Sequence, residues 1–265
     1  MIVNIPFVSN NVIQSLETSS VLTVHSVFSN GINIQASGRP IFIGIQDGPS
    51  ALQIESVYIP VVTKAKINDG VVYKNKQLIF KSLGLIFDMR FSQVKNYELC
   101  KKRVTSVMSD KFMRLIIGYN YMTGLDLLTE DLINCLIKEF DYDQMKYLDY
   151  LFGRGKGLTP SGDDFILGML AYHHVNPYLS DEFIKQLESK MNSNLTTDIS
   201  VNYLKDALQG YFVRDIINLF NSLQDGGNIV ARIYKITSFG HTSGKDTLSG
   251  IAMGILMEEE LRRKK

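Results

Sequence analysis

Up to about Phe91 the apolar residues come in short bursts. Val21–Ser29, Ile32–Ala36, Ile41–Ile45, Ile54–Ile59, Val71–Tyr73 and Leu78–Phe80 are rich in Val, Ile, Phe and Tyr, the residues that strands favour. Turn formers separate them: Asn30-Gly31, Ser37-Gly38, Asp47-Gly48-Pro49, Asp69-Gly70 and Lys74-Asn75-Lys76. Strands this short and this closely punctuated favour an antiparallel barrel or sandwich over βαβ units.

From about Val94 the apolar spacing changes to three and four residues. Leu125–Phe140, Gln144–Phe152, Asp163–His174, Asp181–Met191, Val201–Gln209, Phe212–Leu223, Ile229–Thr237 and Thr247–Arg262 all read as helices. Asp181 and Asp198 are candidate N-caps, and Gly210 and Gly226-Gly227 candidate stops. The expectation is an α+β protein: a β-rich domain over residues 1–92, barrel- or sandwich-like, then an all-α domain over 93–265.

Composition narrows the function classes. The 265 residues carry a net charge of +1, so no basic field points to nucleic acid. No apolar run approaches the length of a membrane span, Phe165–Tyr172 being the longest, and Met1–Asn10 has no basic leader. Cys100 and Cys135 are far apart and lack metal-ligand spacing, which fits a reducing, cytoplasmic setting with both thiols acting as small hydrophobes. The expected partner is a small molecule or another protein, with neither nucleic acid nor membrane.

The candidate chemistry lies on Gly153-Arg154-Gly155-Lys156-Gly157-Leu158-Thr159-Pro160-Ser161-Gly162-Asp163-Asp164. Alternating glycines allow positive φ and close approach of backbone to a ligand, and successive N–H groups in such a turn form an anion-binding concavity. Thr159 or Ser161 can cap the helix that follows, with Pro160 at its first position and Ser161 reaching Asp164 in a capping box. The helix start adds partial positive charge, and Arg154 and Lys156 add mobile cations. The segment is neither a P-loop, because Asp163 stands where Lys is required, nor a dinucleotide fingerprint, because Thr159-Pro160 breaks the glycine spacing.

An echo follows downstream. Ser243-Gly244-Lys245-Asp246-Thr247-Leu248-Ser249-Gly250 repeats Ser161-Gly162-Asp163-Asp164-Phe165-Ile166-Leu167-Gly168 in register. This predicts two similar helix starts converging on one site, with Asp164 facing Asp246. Gly168, Ala171, Gly250 and Gly254 would serve close helix contact. His241, beside the echo, is a candidate donor to an oxyanion; His173 and His174 lie too far along their helix and are expected to be structural, as is His25. Three aspartates near an anion need cations, either Arg154, Lys156 and Lys245 or a bound Mg²⁺ held by Asp164 and Asp246. Oxygen ligands without a His/Cys cluster suit Mg²⁺ better than zinc. No Ser–His–acid or Cys–His set is evident, so covalent catalysis is not favoured.

Gly155-Lys156-Gly157-Leu158-Thr159-Pro160-Ser161-Gly162-Asp163-Asp164 resembles the GxGLTPSGDD signature of the AllH-like family, and Gly240-His241-Thr242-Ser243-Gly244 resembles its second signature, GH[ST]SG. The match in motif order covers mainly the helical half; the strands, including Phe28–Ile34, fit more loosely. The resemblance implies a transferase subunit, of the oxamate carbamoyltransferase of purine and allantoin breakdown, with other subunits as partners. Such an enzyme cleaves oxalurate with phosphate to oxamate and carbamoyl phosphate. The residues of the loop and its echo are compatible with this role, offering a candidate site for such small anions on Arg154, Gly155, Lys156, Gly157, Thr159, Ser161, Gly162, Thr242, Ser243, Gly244 and Lys245. Asp163, Asp164, His241 and Asp246 are then the candidate catalytic groups. Two alternatives stand beside it. Ser243–Thr247 also looks like the aspartate-rich motif of Mg²⁺-dependent ADP-ribosylglycohydrolases, although Lys245 departs from that pattern; or the chain is a non-catalytic nucleotide- or anion-binding subunit.

Overall fold

A computed structural model describes residues 1–19, 21–29, 31–44, 50–56, 64–238 and 240–264. The expected turns at Asn30 and Asp47–Pro49, and the ends of the expected strands at Ile45 and 57–59, lie outside them. The fold is α+β, and the chain separates into two compact units, Met1–Tyr97 and Glu98–Lys265.

Among its described residues the first unit is a mixed ten-stranded sheet with one short α-helix and a single 3-10 turn at Lys81–Leu83. Its strands are β1 (Ile2–Asn4), β2 (Phe7–Ser9), β3 (Leu22–Phe28), β4 (Gly31–Ala36), β5 (Arg39–Gly44), β6 (Gln53–Glu55), β7 (Gly70–Lys74), β8 (Gln77–Phe80), β9 (Leu85–Asp88) and β10 (Gln93–Lys95), and α1 spans Val12–Glu17. The order across the sheet is β1-β9-β8-β7-β3-β4-β5-β6-β2-β10. The hairpin pairs β3/β4, β4/β5, β7/β8 and β8/β9 are antiparallel, whereas β1/β9, β5/β6 and β2/β10 are parallel. Ser37-Gly38 and Asn75-Lys76 close two of the hairpins with positive φ at both central residues, the backbone that matches strand twist.

The order has a geometric consequence. β1 and β2 are separated only by Ile5 and Pro6, yet sit at or next to opposite ends of the sheet. Two residues span only about 7 Å, so the sheet must curl until its ends approach, as a half-barrel. Ile5 N–H bonds to Asp88 O at 2.9 Å and Gln93 N–H to Pro6 O at 2.9 Å, which fastens the two ends. Val24, Ile32, Ile34, Ile41, Ile43, Ile54, Leu78 and Phe87 fill the interior together with Val12 and Leu16 of α1. Val94 therefore belongs to a strand rather than to the start of the helical region.

The second unit consists, among its described residues, of helices α2 (Ser106–Tyr119), α3 (Thr129–Phe140), α4 (Gln144–Leu151), α5 (Ser161–Val175), α6 (Asp181–Met191), α7 (Asp198–Leu208), α8 (Arg214–Asp225), α9 (Ile229–Thr237) and α10 (Ser243–Arg263). Ser180 and Thr197 cap α6 and α7 with their hydroxyls; Asp181 and Asp198 come one residue later, where their charge favours the helix dipole. Helix α3 begins at Thr129, not Leu125, because 122–128 form a loop bridged between Met122 and Leu128. Cys100 and Cys135 are exposed, not packed as small hydrophobes. No helix among the described residues is long and apolar enough to cross a membrane.

Helices α5 and α10 form the centre of this unit. A Cβ on Gly168 would lie 2.0 Å from Thr247 O, and one on Gly250 would lie 1.9 Å from Phe165 O. Those two contacts interchange under the sequence echo, which maps Phe165 onto Thr247 and Gly168 onto Gly250. The Thr159 and Ser243 hydroxyls lie 3.2 Å apart at the helix starts, and further along a Cβ on Gly254 would lie 3.1 Å from Tyr172 Cβ. The helices thus run side by side in the same direction, related by a local two-fold axis, with their backbones in direct contact. The echo extends to the preceding helices: a Cβ on Gly162 would strike Leu151 O of α4 at 1.8 Å, and one on Gly244 would strike Ile236 O of α9 at 1.9 Å.

Candidate functional site

The parallel pairing brings both signature segments together at the starts of α5 and α10. Asp164 and Asp246 are 5% and 1% exposed, and each faces the hydroxyl of the other helix's serine. Ser243 and Thr159 hydroxyls face Asp164, and Ser161 and Thr242 hydroxyls face Asp246. Thr159 and Ser243 hydroxyls are themselves 3.2 Å apart. The Asp164–Ser243 and Asp246–Ser161 pairs are again two-fold mates.

A third element completes the arrangement. The Gly124 amide, in the loop before α3, donates to Asp246 Oδ1 at 2.9 Å. A Cβ on Gly124 would meet Ser161 Oγ at 2.0 Å, Thr242 Oγ1 at 2.6 Å and Asp246 Oδ2 at 3.1 Å. Only a residue without a side chain lets those three oxygens converge. The sequence reading missed Gly124, and no local pattern marks it, because its role arises from a tertiary approach.

Electrostatics at this floor are unusual. Burial pushes the Asp164 carboxyl well above the ordinary carboxylate range, and the Asp246 charge pushes the same way against the hydroxyls of Ser243 and Thr159. Burial also raises Asp246, opposed by the Gly124 amide, the Thr242 and Ser161 hydroxyls and the Lys245 charge. Oδ2 of each aspartate is buried without a hydrogen-bond partner among the described residues.

Asp163 is not part of this convergence. Its Oδ1 accepts from Gly153 N–H at 2.8 Å and its Oδ2 from the Thr196 hydroxyl. It closes the base of the glycine-rich loop. Ser161 neither caps α5 nor reaches Asp164 in a capping box: it is the first helical residue, and Pro160, the N-cap, supplies no side-chain bond. The amides of Gly162, Asp163 and Asp164 bond to Arg154 O and Pro160 O at 2.8–3.1 Å, so they do not form a free anion nest. Gly155 holds φ at +114°, which turns the loop so that its backbone passes over the Ser161 amide.

Above the floor lies a cleft of about 560 Å³, whose lining includes Gly124, Tyr150, Arg154, Gly155, Lys156, Ser161, His241 and Thr242. The Arg154 guanidinium stacks 3.9 Å from the Tyr150 ring centroid, and its Nε donates to Tyr150 O at 2.7 Å. That fixes one cation at the rim, with Lys156 and His241 beside it. Gly162 and Gly244 instead pack against the ends of α4 and α9, and Gly157 has no neighbouring atom where a side chain would begin. His173 and His174 are structural. His173 Nδ1 accepts the Tyr178 and Leu179 amides at 3.0 and 2.9 Å, and His174 Nε2 donates to Leu99 O at 3.0 Å.

Residues 151–255 match the family described as oxamate carbamoyltransferase subunit AllH. Over this stretch the chain is similar to the AllH family. The match runs from the last residue of α4 through most of α10 and so includes both signature segments and all of α5. The family's description names a subunit of a carbamoyltransferase. No solved structure matches the chain.

Proposed function

We propose that this chain is a subunit of a carbamoyltransferase-type enzyme and that the cleft over Ser161 and Thr242 receives its small anionic substrates: oxalurate, phosphate or carbamoyl phosphate. The observation that carries the reading is the convergence of the two AllH signature segments beneath a cleft rimmed by Arg154, Lys156 and His241. Carbamoyl transfer builds negative charge on the carbamoyl oxygen, and cations or hydroxyl donors fixed beforehand stabilise such charge without reorganisation.

In this reading a phosphate oxygen attacks the carbamoyl carbon, the bond to the oxamate nitrogen breaks, and the proton lost by phosphate ends on that nitrogen. Arg154, held on Tyr150, and Lys156 attract the anions. Ser161 and Thr242 hydroxyls line the floor beneath them, held from below by Asp246. The test is to combine the chain with the products of its neighbouring genes and follow oxalurate loss. Cleavage that requires phosphate and yields carbamoyl phosphate is expected, with a loss of tenfold or more in Arg154→Ala. A fully assembled complex without that activity overturns the proposal.

A further inference from the structure

We propose that Asp164 and Asp246 hold a hard divalent cation of the Mg²⁺ type between the starts of α5 and α10. The inference deepens the reading of the cleft given above and rests on it for its purpose, but not for its geometry.

Two features of the floor point to a ligand. The first is the pair of orphaned oxygens: Oδ2 of Asp164 and Oδ2 of Asp246, each on a side chain at least nine-tenths buried, have no hydrogen-bond partner among the described residues. A buried carboxylate oxygen left unpaired is costly, and the Asp246 charge works against the ionisation of Asp164. A cation between them removes both costs at once. The second is Gly124, where any side chain would displace the oxygens of Ser161, Thr242 and Asp246. Oxygens drawn together around a position that must stay free of carbon are arranged as ligands are.

The donor set selects the ion. Two carboxylates and the hydroxyls of Thr159, Ser161, Thr242 and Ser243 are all hard oxygens, with neither cysteine nor histidine among them, which suits Mg²⁺, Mn²⁺ or Ca²⁺ rather than zinc. Among the described residues no group of three His, Cys, Asp or Glu side chains is placed to hold a metal, so there is no closed protein cage. Mg²⁺ is characteristically held by one or two carboxylates and completed by water and substrate oxygens. The cleft above Ser161 and Thr242 is where such an anion would arrive. The positive ends of two helices and the charge of Lys245 act against a cation here, so binding is expected to be moderate alone and tighter with phosphate present.

Mn²⁺ serves as the probe, because its electron paramagnetic resonance signal reports free ion without any turnover. The full-length chain is expected to take up one Mn²⁺, displaced by Mg²⁺, with affinity at least tenfold weaker in Asp164→Asn and in Asp246→Asn. Should those variants fail to fold, Mn²⁺ added to the unaltered chain must broaden the amide resonances of Gly124, Ser161 and Thr242 before all others. No uptake at millimolar Mn²⁺, undiminished affinity in both folded variants, or broadening centred elsewhere each overturns the site. So does ¹³C-carboxyl resonance showing one of the two aspartates still protonated at neutral pH with Mg²⁺ in excess. Mn²⁺ bound here without oxalurate cleavage in the assembled enzyme would remove the proposed function and keep the cation site. Cleavage without any metal would do the reverse.

Discussion

Asp163 and Asp164 are adjacent in sequence and opposite in employment. Successive helical positions point about 100° apart, so one carboxylate faces the glycine-rich loop and the other faces α10. Asp163 satisfies the Gly153 amide and the Thr196 hydroxyl, which makes it part of the loop's scaffold. Asp163→Ala leaves both donors unpaired and should cost about 1–3 kcal/mol, read as a lower urea midpoint at unchanged slope. Asp163→Asn keeps an acceptor and should cost less, because burial already opposes the charged form. An alanine variant as stable as the parent would show that the loop closes by other means. The sequence put both neighbouring aspartates forward as candidate catalytic groups. Which of them faces the site was hidden, because Thr196 reaches Asp163 from a loop more than thirty residues away.

At the scale of elements, the echo between the two signatures was legible because it is a helix-start pattern: a serine, a glycine and an aspartate ahead of an apolar run. What could not be read locally was that the starts pair in parallel, a relation that shows only in tertiary contacts, Thr159 with Ser243 at the starts and Tyr172 with Gly254 further along. Gly168→Ala or Gly250→Ala would drive a methyl group into a backbone carbonyl about 2 Å away, and backbone cannot yield as a side chain can. A loss of at least about 1–3 kcal/mol is expected, measured by chemical denaturation. Gly118→Ala, exposed near the end of α2 with nothing within 4 Å of the new Cβ, should instead stabilise by about 0.5–1 kcal/mol. Equal effects at the three sites would remove the argument for backbone contact between α5 and α10. Helix α2 itself escaped the sequence reading for a physical reason. Its buried face is Ser109, Phe112 and Ile116, while Val107 stands 71% exposed, so the apolar pattern does not follow the buried one. The strands β1, β2, β9 and β10 were missed because three or four residues show too little alternation to register.

For the whole molecule, the question is where binding is felt. The described residues lining the cleft run from Met122 to Thr242, inside the Glu98–Lys265 unit, and the family match covers residues 151–255 of that unit. The half-barrel has its own apolar core. A ligand that binds the folded form adds stability where its contacts are, by an amount that grows with its concentration over its dissociation constant. Hydrogen exchange with Mg²⁺ and phosphate present should therefore slow in the loop before α3, in the glycine-rich loop and in the first turns of α5 and α10. Amides of β3, β4 and β5 should exchange at their original rates. The loop before α3, the glycine-rich loop with the first turn of α5, and the first turn of α10 are distant in sequence and come together around Gly124, Asp164 and Asp246, so their joint response would report the convergence itself. Slowing confined to the glycine-rich loop would instead describe an anion held by Arg154 and Lys156 alone, with the second signature left out of the site.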